Sequence, residues 1–230
     1  MIPAPPAISV AWPNCHHLLS EEIPLATFFE SLANSNELET AFALLALTDP
    51  LERQRLGEIS LVSPEDVVVG PGADIIMGAF THPTSDPKGT RFADTTCGAF
   101  YAARTLETAV RERAYHRAFL FASTSMPAAD VYLRDYTVDV VGTLADALTD
   151  AARFANVYDP ADYTQSQGLA RELRSAGISG IAYASVRHPS GVCAAVWRPK
   201  ILSNCVIGTR VTLSWDGSRI VGAATSVPLF

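Results

Sequence analysis

The sequence predicts an α+β fold with a mixed, largely antiparallel β core and surrounding helices. Helical patterns dominate the first part of the chain and strand patterns its end, an order that suits α+β better than a doubly wound sheet. Nearly half of the 230 residues are hydrophobic (48%), enough for a sizeable core. Gly/Pro turns break the apolar runs of the C-terminal half into short segments.

Element by element, residues 1–15 read as irregular, because Pro3, Pro5, Pro6 and Pro13 interrupt regular backbone hydrogen bonding. From Pro24 to about Asp49 the pattern is helical. Pro24 opens one helix, Ser35 or Asn36 caps a second through ELETAFALLAL, and Pro50 stops it. The Val/Ile-rich stretch from Gly57 to Gly78, broken by Pro64, Gly70, Pro71 and Gly72, reads as short strands and tight turns. Residues 81–90 are a loop, and GAFYAA (98–103) is a buried strand. Thr105 caps a helix over about 106–121, and a helix within 158–177 closes at Gly177. Strands are expected in 131–142, in GIAYASV and VCAAVWRP, and around 206–214 and 219–223. The organisation expected is an N-terminal helical segment (1–56) and a main domain (57–230), together one compact unit.

Charge narrows the function. Seventeen Lys/Arg against 24 Asp/Glu leave a formal charge of −7, which argues against a broad nucleic-acid-binding face but permits a local basic pocket. No apolar run approaches membrane-spanning length, and the proline-rich start does not resemble a secretory signal. Cys15, Cys97, Cys193 and Cys205 are widely spaced without a CxxC, and read as buried thiols of a cytoplasmic protein rather than a disulfide frame or zinc site.

Candidate site residues gather in residues 89–117 and near the end of the GIAYAS strand. Arg91, at a loop–strand boundary after Gly89, offers a fork of donors for a phosphate or carboxylate, although a lone arginine is more often a surface ion pair. Glu112 has Ala109, Tyr115 and His116 on its helix face, which marks it over Glu107; Arg113 and Arg117 nearby equally suit a solvated helix glutamate. Tyr101 offers a stacking face or simply core packing, and Ser185 a hydroxyl at a strand end before a Pro/Gly turn. No G-x-S-x-G elbow surrounds Ser185. Adjacent His16 and His17 do not share a helix face as a metal pair would, and GPG (70–72) lacks the spacing of a phosphate-binding loop.

Together these residues resemble the RES-domain family of bacterial toxin–antitoxin toxins. GEISLV, GPGADIIMGAFTHP, GTRFAD, FYAARTLETAVRE, YHRAFL, SQGLARELRSAGISGIAYASVRHPSGVCAAVWRP and LSWDG follow one another as in its longer members. The resemblance implies a fold like that of ADP-ribosyltransferases and an enzyme that takes NAD+ as substrate, inorganic phosphate as co-substrate and no cofactor or metal. Nicotinamide and ADP-ribose phosphate would be its products. Carried over residue by residue, Arg91 is the family arginine, Tyr101 the strand tyrosine, and Glu112, eleven residues later, the family glutamate. Ser185 is assigned as the serine and completes the catalytic set; Thr164 or Ser166, beside Gln167, is the alternative source of the hydroxyl. Tyr101, Thr164, Ser166, Gln167 and His17 are then expected to bind substrate. Relatives tend to carry an arginine near the start of the segment HHLLSEEIPLATFFE, where this chain has His16 or His17. The expected partner is a cognate antitoxin with an Xre-like helix-turn-helix DNA-binding region, leaving the chain itself without nucleic-acid or membrane contact. ADP-ribosylation of a protein target and a non-catalytic binding module are the competing readings.

Overall fold

In a computed structural model of the chain, which describes residues 4–22, 28–32, 34, 40, 57–84 and 86–226, seven strands and three α-helices are described. The strands are β1 (Ala7–Ser20), β2 (Phe100–Ala103), β3 (Ala129–Asp146), β4 (Gly180–Ala184), β5 (Val192–Val196), β6 (Leu202–Trp215) and β7 (Ile220–Ser226). The helices are α1 (Ala73–Thr81), α2 (Leu106–Ser123) and α3 (Thr164–Ser175). The sheet order is β1-β2-β5-β4-β3-β6-β7, and β1 also pairs with β3, so five strands close a ring from which β6 and β7 extend. Among the described residues, only the short β3–β4 pairing is parallel. The fold is therefore α+β with a largely antiparallel core, as the sequence predicts. Among the described residues, no helix is long and apolar enough to cross a membrane.

Two local expectations are overturned. The segment read as irregular over 1–15 is mostly strand: β1 runs antiparallel to β3 from Ala7↔Ala145 to Ser20↔Leu133. Pro13 is tolerated because the ladder shifts register between Trp12 and Cys15, with Asn14 in the left-handed region (φ 52°). At such a bulge a missing N–H costs no ladder bond. The second correction lies in 57–78, which holds 3-10 turns at Ile59–Leu61 and Pro64–Asp66 followed by α1, not strands. Ile75, Ile76, Met77 and Phe80 are all buried, so α1 is surrounded by core and shows no polar stripe to betray its period. The helices expected between Pro24 and Asp49 lie almost wholly outside the described residues; within that span Phe29–Ser31 is a 3-10 turn.

The other elements follow their local chemistry. Thr105 caps α2, its hydroxyl accepting the Thr108 amide. At the end of α3, Gly177 sits at φ 79°; its amide donates to the Arg174 carbonyl and the Ile178 amide to that of Leu173, a Schellman closure. One core cluster packs α1 against β1, β3 and β6, and a second packs α2 and α3 against the other side of β4 and β5.

Asp74 at the start of α1 is 5% exposed, and its carboxylate accepts the amides of Phe28, Phe29 and Glu30. Burial pushes its pKa up while the three amides pull it down. Asp74→Ala would orphan these donors, and urea unfolding is expected to show a loss of about 3 kcal/mol; an unchanged midpoint would show that the 28–30 segment contributes nothing to stability.

Candidate active site

A cavity of about 490 Å³ opens between β1, β2, α2 and the segments 84–91 and 160–163, a size suited to a small ligand. Arg91, Tyr101, Glu112 and His17 all line it. Four Lys/Arg side chains (Lys88, Arg91, Arg113, Arg187) and two carboxylates (Asp86, Glu112) line it, so an acidic protein carries a locally cationic pocket.

The loop bearing Arg91 is held from several directions. Gln167 Nε2 donates to the carbonyls of Lys88 (2.7 Å) and Thr90 (2.9 Å). The Phe92 amide donates to the Tyr101 hydroxyl at 2.9 Å, which also pairs with Thr90 Oγ1 at 2.7 Å. Trp197 Nε1 donates to the Phe92 carbonyl. Gly89 has φ 67°, and a Cβ there would stand 2.5 Å from the Ala93 carbonyl oxygen, so the turn into the loop requires glycine.

Arg91 is 9% exposed. Its Nη1 donates to the carbonyls of Val157 and Asp159, both at 2.8 Å, and its guanidinium lies 4.9 Å from the Tyr163 ring centre. Backbone carbonyls orient the group without neutralising it, and no hydrogen bond among the described residues occupies its Nε–Nη2 edge. That edge is the side-on fork that grips an oxyanion.

Glu112 enters from α2 and forms no ion pair among the described residues; Arg113 and Arg117 do not neutralise it. Its partner is Ser185, whose hydroxyl donates to Glu112 Oε1 at 2.5 Å. The amides of Arg187 (3.1 Å) and His188 (2.9 Å) both donate to Ser185 Oγ. With those lone pairs engaged, the serine proton is aimed at the carboxylate. Ser185 is not among the residues that line the cavity and reaches it through Glu112. The loop after β4 is itself docked on α2 by His188 Nδ1, 2.9 Å from Thr108 Oγ1.

The alternative hydroxyls are placed elsewhere. Thr164 is exposed at the start of α3, and Ser166 is fully buried, donating to the Tyr163 carbonyl. Neither lines the cavity, nor does Gln167, which clamps the loop from behind. Tyr101 faces the cavity, but its hydroxyl is committed to the 90–92 loop, and burial raises its pKa to about 12. Cys193 is no thiolate nucleophile: burial, then the charge of Glu112, pushes its thiol up to about 12.

Four wall residues escape sequence reasoning as site residues. Tyr163 stacks on Arg91; Arg187 sits 3.3 Å from the Tyr115 ring centre and donates to the Pro160 carbonyl; Arg113 lines the β1 side. Aromatic partners for the arginines depend on tertiary placement. Only Tyr115 had a local signal, its spacing from Glu112 on α2.

His17 Nδ1 donates to the Tyr101 carbonyl at 2.7 Å, and its ring stacks on Phe100 with centroids 4.2 Å apart. Burial lowers its pKa to about 4, so it is neutral at pH 7. His16 instead pairs with Asp135 at 2.9 Å. Because the folded pKa of His17 lies below its ordinary value of 6.5, its contribution to stability is complete above about pH 6.5 and lost as pH falls through about 4. Urea unfolding across this window is expected to show a shallower acid decline in His17→Gln than in the wild type. Identical slopes would place the proton elsewhere.

Residues 67–216 match the family model described as "RES domain". No curated protein matches the chain. Among solved structures, a chain of the M. tuberculosis MbcT–MbcA toxin–antitoxin complex is similar at 12% identity, over 92% of this chain and 88% of that one, with a TM-score of 0.42. The matched span covers α1, every strand from β2 to β6 and the cavity residues Arg91, Tyr101 and Glu112, and on that match the chain belongs to the RES domain family.

Proposed function

We propose that the chain is the toxin of a toxin–antitoxin pair and degrades NAD+ by phosphorolysis in this cavity. The observation that carries the reading is Glu112, a carboxylate facing a cationic pocket and held by an oriented hydroxyl instead of a neutralising arginine. In the reaction the bond between nicotinamide nitrogen and ribose C1 breaks, and its electron pair leaves with nicotinamide, which becomes neutral. A phosphate oxygen then bonds to the same carbon, giving ADP-ribose phosphate. Positive charge builds on the ribose as the bond stretches, and Glu112 supplies the complementary charge where it develops. The free edge of Arg91 holds a phosphate group, and Tyr101 with Tyr183 walls the ribose from water. Ser185 keeps Glu112 in place throughout.

The partner in this reading is an antitoxin bearing a helix-turn-helix of the Xre type, which masks the cavity and supplies DNA recognition. The chain's charge of −7 fits that division of labour. Gel shifts on duplex DNA are expected to be negative for the chain alone and positive for the complex; specific binding by the chain alone would defeat it.

Incubation of the purified chain with NAD+ and inorganic phosphate is expected to release nicotinamide and ADP-ribose phosphate. Label retained on protein would favour ADP-ribosylation of a protein target instead. Glu112→Gln is expected to keep the fold by circular dichroism and to lower kcat by about a hundredfold or more. Arg91→Lys, which loses the planar fork, is expected to raise KM more than it lowers kcat. Near-wild-type turnover in Glu112→Gln would remove Glu112 from the chemistry.

A further inference from the structure

Helix α2 treats its arginines in two ways. Arg111, on the exposed side, pairs with Glu107 one turn earlier at 2.8 Å. Arg113 and Arg117, also one turn apart, have no hydrogen bond or ion pair among the described residues, and the Nε of each is buried without a partner. Like charges at this spacing repel, and a buried guanidinium donor left unpaired costs free energy. Burial, followed by the charge of Arg117, lowers the Arg113 pKa to about 10, which leaves it cationic at neutral pH.

Arg113 lines the cavity near His17, and its charge adds to the burial that depresses the His17 pKa. His17 cannot serve as a cation there, since it is buried and neutral with Nδ1 committed to Tyr101. Arg91, by contrast, is anchored to the 157–159 backbone and Tyr163. The two arginines thus enter one cavity from different walls, each with unused donors, and both bear on His116, as does Arg187.

We propose that Arg113, backed by Arg117, forms a second phosphate-binding subsite of the cavity, distinct from the one at Arg91. The proposal rests on the nucleotide reading of the same cavity. A phosphate dianion or a diphosphate suits two guanidinium charges one turn apart better than a carboxylate does, because one negative charge leaves the second arginine uncompensated. The subsite takes either the acceptor phosphate or the diphosphate of the donor, and the two sources separate by experiment.

The test is calorimetric titration of the full chain with inorganic phosphate and, separately, with ADP. Arg113→Met is expected to weaken binding of at least one probe by about tenfold or more, the scale of a lost charge-assisted contact. Weakening for phosphate alone assigns the acceptor, and weakening for ADP assigns the donor diphosphate. Since Arg113 is unpaired without a ligand, Arg113→Met is also expected to melt no lower than the wild type while losing phosphate- or ADP-dependent stabilisation. If Arg113→Met does not fold, Arg113→Gln is read in the same way. Wild-type affinity for both probes in the variant, or no binding of either probe by the wild type, overturns the subsite. A chain that binds phosphate through Arg113 yet cleaves no NAD+ keeps the subsite and sinks only the phosphorolysis reading.

Discussion

The Tyr101 hydroxyl accepts the Phe92 amide at 2.9 Å, while its backbone carbonyl receives His17 Nδ1 at 2.7 Å. One β2 residue thereby fixes two walls of the cavity, the Arg91 loop and the β1 side. The strand can do this because β2 sits between β1 and β5, paired with β5 from Phe100↔Val196 to Ala103↔Cys193 and meeting β1 only at His16↔Ala103. Where the β1–β2 ladder is a single bridge, the His17 side-chain bond supplies the missing tie. Buried polar groups of this kind are costly unless satisfied, and the Tyr101 hydroxyl and carbonyl both are.

Around that joint the protein separates groups that orient from groups that carry charge. Gln167, Trp197, Ser185 and Tyr101 spend their hydrogen bonds on backbone or on a neighbouring side chain and add no charge to the cavity. Arg91, Arg113 and Glu112 carry charge and are held by neutral groups or packing. Had Arg113 paired with Glu112, each would have cancelled the other, and the cavity would have lost its unpaired glutamate and one of its cations. Keeping like and unlike charges unpaired in one pocket costs stability, which the packed rings of Phe92, Phe100 and Tyr183 help to offset.

How much of this could be read in advance depended on how local the cause was. Thr105 and Gly177 announce helix ends through chemistry confined to one turn, and the alternating or Gly-bounded runs of β2 to β7 announce strands. Arg91, Tyr101, Glu112 and His17 were legible as cavity residues through a resemblance to known sequences and their spacing. Pro13 misled because its compatibility with β1 depends on a bulge against β3, far along the chain. Helix α1 misled because burial on all sides erases amphipathic period. Arg113 read as a possible solvent-facing partner for Glu112; its unpaired state is a tertiary fact set by the packing of α2 on β1. Thr164 and Ser166 had the right chemistry, but the turn of α3 points one to solvent and buries the other.

The placement of Ser185 has a consequence for how the cavity can work. A serine exposed to the ligand could act as a nucleophile, but here two amides and Glu112 use its oxygen and its proton. In the proposed reaction, attack accordingly comes from the acceptor on the ligand side. Glu112 is equally constrained: one oxygen is held by Ser185, and the residue lines the cavity. A carboxylate fixed in this way need not reorganise as positive charge develops opposite it, and that preorganisation is where an electrostatic site gains over water. In the proposed reaction the acceptor is selected by what the arginines admit. In that proposal Arg91 and Arg113, on separate walls, favour a phosphate beside a bound diphosphate over a neutral water, because only an anionic acceptor gains from being placed there.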